Sequence, residues 1–129
     1  MAPSSFEIRY TAALKPLLVA LGMGPAQSGI VVTPDDLRVY MGWAFHAKIP
    51  IRDIRHVEQS ARPIFHGWGV HGWTGRWLVN GSGKGIVRIE IDPAARARVM
   101  GIPVPLTTLL VSAAAPESLV NTINRMRVV

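Results

Sequence analysis

Four short stretches of the chain alternate apolar and polar residues with a period of two: Phe6 to Tyr10, Leu37 to Met41, Phe45 to Ile49 and Val87 to Ile91. An extended chain turns successive side chains to opposite faces, so each stretch predicts a strand with one buried face. The residues between them are those of turns. Pro34-Asp35-Asp36 separates Gly29–Thr33 from Leu37–Met41 as the turn of a hairpin, and Gly42-Trp43 leads into a third strand. Pro50 to Ile54 reads as a corner or a single helical turn, with a strand following at Arg55 to Gln59. Arg76–Asn80 and Ile86–Ile91 enclose the glycine-rich segment 81–85 and read as a second hairpin. Asp92 to Val104 reads as a loop with a helical turn at Ala94–Val99, and Leu106–Ser112 as the last strand.

Two helices complete the pattern. Pro16 opens a short one that Gly22, Gly24 and Pro25 end. Pro116 opens the C-terminal one, with Glu117 near its positive end and Arg125 and Arg127 near its negative end. Leu119, Ile123 and Met126 form one stripe along it, with Val120 beside them. The expectation is a mainly β fold of about seven short strands with a C-terminal α-helix, in a single domain over residues 1–129.

Composition narrows the function. The chain has no cysteine, which excludes disulfides and thiolate metal ligands. Its longest early apolar run, Leu17 to Leu21, falls far short of the roughly 20 residues that span a bilayer. The first residues carry no basic run ahead of an apolar one, so no secretory leader is expected, and the expected location is cytoplasmic. Net charge is +6, with eleven arginines and three lysines spread along the chain. Such a charge draws a protein toward phosphates, including those of an anionic membrane.

Residues 66–80 hold three of the four tryptophans, two of the four histidines and four glycines. Arg62, His66, Trp68, His71, Trp73 and Arg76 form the candidate binding face, with filling of the barrel and its mouth as the alternative reading of Trp68 and Trp73, while Trp77 lies on a clear strand and reads as part of the wall. His66 and His71 are five apart and could approach one ion, but no third ligand accompanies them and no metal is assigned. Residues 81–85 lack the full phosphate-loop pattern and precede a strand, so they read as a turn. No catalytic residue and no cofactor are assigned, and the aromatics are not interleaved with bases as nucleic-acid stacking requires.

The order of elements resembles the pleckstrin-homology-like (PH-like) fold, and most closely its bacterial group. The resemblance rests on Val31-Val-Thr-Pro-Asp-Asp-Leu-Arg38, on Ile49-Pro-Ile-Arg-Asp-Ile54 and on the run from Leu110 to Val120 into the helix. The chain also resembles small actinobacterial proteins with a Gly-Trp-Gly-Val-His-Gly-Trp core, here residues 67–73. The resemblance implies a seven-stranded bent barrel or sandwich capped by the helix. It does not imply phosphoinositide binding, because the first hairpin turn is acidic at Asp35 and Asp36. The resulting expectation is a non-enzymatic interaction module for a protein or an anionic membrane, peripheral at the inner membrane face. The alternative is a small-ligand or metal-dependent enzyme using the His66–His71 region.

Overall fold

The computed structural model describes residues 4–12, 15–60, 69–73, 75–80, 82 and 84–127. Within them the chain forms β1 (Ser4–Phe6), α1 (Lys15–Ala20), β2 (Ser28–Val32), β3 (Asp36–Met41), β4 (Phe45–Pro50), β5 (Ile54–Gln59), β6 (Gly69–Trp73), β7 (Arg76–Asn80), β8 (Ile86–Val99), β9 (Ile102–Ser112) and α2 (Pro116–Arg127). Short 3-10 turns occur at Pro25–Gln27 and Ile51–Asp53. The expectation of a mainly β fold with a C-terminal helix holds.

The nine strands form one sheet in the order β1-β2-β3-β4-β8-β9-β7-β6, and β5 pairs with β8 beside that path. The long β8–β9 hairpin organises it. Along one edge of β8, Phe45–Lys48 of β4 pair with Arg96–Val99, and Ile54–Gln59 of β5 pair with Val87–Ile91. The chain thus follows β8 from end to end and bends once, at Ile51–Asp53. The β8–β9 register shifts between Glu90 and Ala95, level with that bend. A strand that bends in mid-course serves two differently oriented parts of a sheet and wraps it around a core.

The alternations predict the core well. Leu37, Val39, Met41, Phe45, Ala47, Ile49, Val87, Ile89 and Ile91 are all buried. The stripe on α2 is buried too, and α2 packs on β5, on the Ile51–Asp53 turn and on β8. Trp77 packs partly buried against the core, as its strand position implies.

Four expectations need correction. The sheet is open, with β1 and β6 at its ends, and nine strands stand where about seven are expected. The Phe6–Tyr10 stretch is a strand only through Phe6. Beyond it, Ile8 makes an isolated bridge to Ala113, and the Arg9 amide donates to the Ser112 carbonyl at 2.8 Å. Residues 76–80 and 86–91 do not form a hairpin: β9 lies between them, parallel to β7. Both edges of β8 are taken, one by β4 and β5 and the other by β9, so β7 has no edge of β8 to join. Finally, residues 92–104 are not a loop. They extend β8 and β9 into a hairpin whose tip is Met100-Gly101.

Candidate functional site

The sequence-derived candidates are only partly in view. Arg62, His66 and Trp68 lie outside the described residues. His71 and Trp73 lie in β6, in register with Leu78 and Arg76 of β7. Arg76 is exposed at the start of β7, opposite Thr108 of β9 in the parallel pairing. The structure therefore brings Trp73 and Arg76 together across one hairpin.

A different surface emerges at the end of the sheet where the β3–β4 and β8–β9 turns meet the exit of α1. Gly42 has φ of 54°, and a Cβ there would run into the Gly22 carbonyl oxygen. Glycine alone permits both the left-handed backbone and this approach. The contact seats the β3–β4 turn against the segment leaving α1. There the Trp43 indole nitrogen donates to the Leu21 carbonyl at 2.7 Å. On the other side the Met100 amide donates to the Ala44 carbonyl at 3.0 Å, fixing the β8–β9 tip beside Trp43.

Among the residues whose burial is described, every large hydrophobic side chain left in solvent lies on these three segments. The large exposed hydrophobics are Leu17, Val19, Leu21, Trp43, Met100 and Ile102, with exposures between 48% and 65%. α1 buries only Leu18, so this short helix presents aliphatic side chains outward. Scattered single exposures are ordinary, whereas several gathered at one end of a molecule make that end a candidate interaction surface.

Cations cover the outer face of the sheet behind this tip. Cross-strand pairing sets Arg38 opposite Lys48 and Lys48 opposite Arg96, and in the next row His46 opposite Arg98. All five side chains are exposed. Directly opposed side chains have Cβ atoms about 5 Å apart, where like charges destabilise a sheet. The row has one carboxylate: Asp36, buried at the far end from the tip, pairs with Arg38 at 3.1 Å and Lys48 at 3.6 Å. Among the described residues Arg96 and Arg98 form no ion pair. None of the eight acidic residues falls in segments 8–34, 37–52 or 93–116, which supply the tip and most of this face.

Two other features lie outside this surface. A concavity of about 630 Å³ at the opposite end of β3 and β4 is lined by Asp35, Arg52, Arg55, Met126 and Arg127, among others. Its guanidiniums are engaged within the chain: Arg127 donates to the Arg55 carbonyl at 2.7 Å and to Asn124 Oδ1 at 2.9 Å, Arg55 donates to the Arg52 carbonyl at 3.2 Å, and Arg52 faces Asp53 at 3.9 Å. Tyr10 donates to the Met23 carbonyl at 2.6 Å, and burial pushes its phenol above the ordinary value, partly offset by a hydrogen bond with Ser28. Among the described residues no cluster of three or more His, Cys, Asp or Glu could hold a metal ion, and no helix is long and apolar enough to cross a membrane.

Comparison with protein-family models, with curated proteins and with solved structures finds no match to this chain. Sequence periodicity does not mark the surface just described, because it is assembled from three turns distant in the chain. Its one sequence signal is the absence of acids from the segments that build it.

Proposed function

We propose that the protein is a non-enzymatic, PH-like interaction module that binds an anionic partner surface through the outer face of β3, β4 and β8. The cation row carries the proposal. Lys48 stands between Arg38 and Arg96 with one carboxylate, Asp36, for the three. A fold that sets like charges side by side gives up stability that an anionic partner restores. The PH-like assignment is supported by the bent sheet followed by a C-terminal helix packed on β5. A peripheral position at the inner membrane face agrees with the net charge of +6.

The test is retention on a heparin resin as salt is raised, comparing the native chain with a Lys48→Ser, Arg96→Ser, Arg98→Ser triple variant. The native chain is expected to elute at clearly higher salt, because exposed charges are screened beyond about 10 Å at 0.1 M ionic strength. Elution of both at the same salt would place the binding charge elsewhere.

A further inference from the structure

We infer that the anionic partner is a lipid bilayer, and that the end of the molecule built from Leu17, Leu21, Trp43, Met100 and Ile102 inserts into its interfacial layer. The inference rests on the proposed binding of an anionic surface and adds what that surface is made of. The cations alone would suit any polyanion. The aliphatic side chains of the tip, Leu17, Leu21, Met100 and Ile102, would not: a nucleic acid offers phosphates and flat base faces that suit cations and aromatic rings, and an acidic protein face offers carboxylates, whereas neither offers a hydrocarbon layer. A bilayer presents anionic headgroups outside and hydrocarbon beneath, in the order in which this molecule presents apolar tip and cationic flank.

Three observations fit that layering. First, Trp43 satisfies its single donor on the Leu21 carbonyl, which leaves an exposed ring with no unmet hydrogen bond. Tryptophan held in this way suits the membrane–water interface, where tryptophan is enriched. Second, distances along the strands match the headgroup layer. Arg98 lies two residues behind Met100 and His46 three behind Trp43, at most about 7 and 10 Å at the roughly 3.3 Å per residue of an extended chain. The polar layer of one leaflet is about 5–8 Å deep, so a tip in the acyl boundary sets these groups at or just above the phosphates. Third, α1 buries only Leu18 and turns Leu17 and Val19 to solvent, aliphatic surface that an amphipathic helix normally faces inward. A second copy of the chain is a poor cover, because two such tips meeting would also bring their cationic flanks together.

The test uses vesicles of phosphatidylglycerol and phosphatidylcholine in equal parts, with phosphatidylcholine vesicles alone for comparison. The full-length chain is expected to bind the mixed vesicles and to bind the neutral ones weakly. Bromine on the lipid chains should quench the native fluorescence by more than it quenches Trp43→Phe. Trp43→Ser, and independently Met100→Ser with Ile102→Ser, should each weaken binding about tenfold with native-like circular dichroism; melting should stay native-like in the second variant and fall modestly in Trp43→Ser, which also loses the bond to the Leu21 carbonyl. The Lys48, Arg96, Arg98 triple variant should lose about a hundredfold, at roughly fivefold per cation near the surface. Salt-dependent retention on heparin without vesicle binding would overturn insertion and leave the anionic-surface proposal standing. So would vesicle binding in which Trp43→Phe is quenched as strongly as the native chain and the tip variants bind as well. Failure on both heparin and vesicles would overturn the anionic-surface proposal itself.

Discussion

Trp43 donates its indole N–H to the carbonyl of Leu21 at 2.7 Å across 22 residues of chain. The bond exists because Gly22 and Gly42 bring two backbones into contact beneath it. Gly42→Ala is expected to destabilise the protein by about 2 kcal/mol or more, from a strained positive φ and from a collision with the Gly22 carbonyl. Gly101 is the control: its φ is 81°, but nothing lies within 4 Å of where its Cβ would be. Gly101→Ala should therefore lose only the conformational part, about 1 kcal/mol, in parallel urea titrations. Equal losses at the two sites would mean that the Gly22–Gly42 contact is not tight.

Tyr10 predicts a pH dependence. Its phenol is raised above the ordinary value of about 10 by burial, with Ser28 opposing. The folded protein then holds this proton more tightly than the unfolded chain. The stability it contributes is complete below about pH 10 and is lost as pH rises through the raised value. Thermal melts above that pH should show a decline that Tyr10→Phe flattens. The same variant should lose about 1 kcal/mol at neutral pH with its bond to the Met23 carbonyl. An unchanged alkaline decline in Tyr10→Phe would assign it to another group.

The core was legible in the sequence because burial writes itself into period-two alternation, as at Leu37, Val39 and Met41. Pairing was less so. Nothing in Arg76–Asn80 states that β9 rather than β8 lies beside it; that follows from which edges other strands leave free. Residues 92–104 carry conflicting signals. Alanines and prolines suggest a helical turn in a loop, yet Ala95 and Ala97 are buried while Arg96 and Arg98 are exposed, the alternation of a strand. Pro103 and Pro105 are tolerated in β9 because its pairing with β7 involves only Thr108–Val111, leaving their stretch on a free edge among the described residues. The candidate surface was the least legible, since Trp43 and Met100 read as turn residues until the turns are brought together.

α2 supplies a plain test of the core. Leu119 and Ile123 are fully buried where the helix meets β5 and the Ile51–Asp53 turn. Truncating either to Ala should cost about 2–5 kcal/mol by denaturant titration, the sum of lost burial and the cavity left behind. A cost below about 1 kcal/mol would mean that the helix is not firmly seated on the sheet.

Asp36 is expected to act on stability and binding in opposite directions. Asp36→Asn keeps the side chain's shape but removes the one carboxylate between Arg38 and Lys48. The folded protein should lose about 1–3 kcal/mol, less at high salt, where repulsion in the cation row is screened. Binding to anionic vesicles should tighten, because Arg38 and Lys48 are no longer neutralised from within. A variant that is destabilised without binding more tightly would show that this end of the row does not face the partner.

The segment from His66 to Trp73 and the tip at Trp43 give opposite expectations for one experiment. Sequence density favours the first, with two histidines and two tryptophans among glycines. Structure favours the second, with exposed apolar side chains on three turns held together by the Trp43–Leu21 and Met100–Ala44 hydrogen bonds. A Trp68→Ala, Trp73→Ala double variant should therefore bind anionic vesicles as the native chain does, whereas Trp43→Ser should bind about tenfold more weakly. Tenfold is about 1.4 kcal/mol, within reach of losing one partly exposed aromatic from an apolar boundary. If the double variant instead loses binding while Trp43→Ser retains it, with both remaining folded, the partner meets β6 and the segment before it, and the tip is an uncovered apolar end with no role in docking.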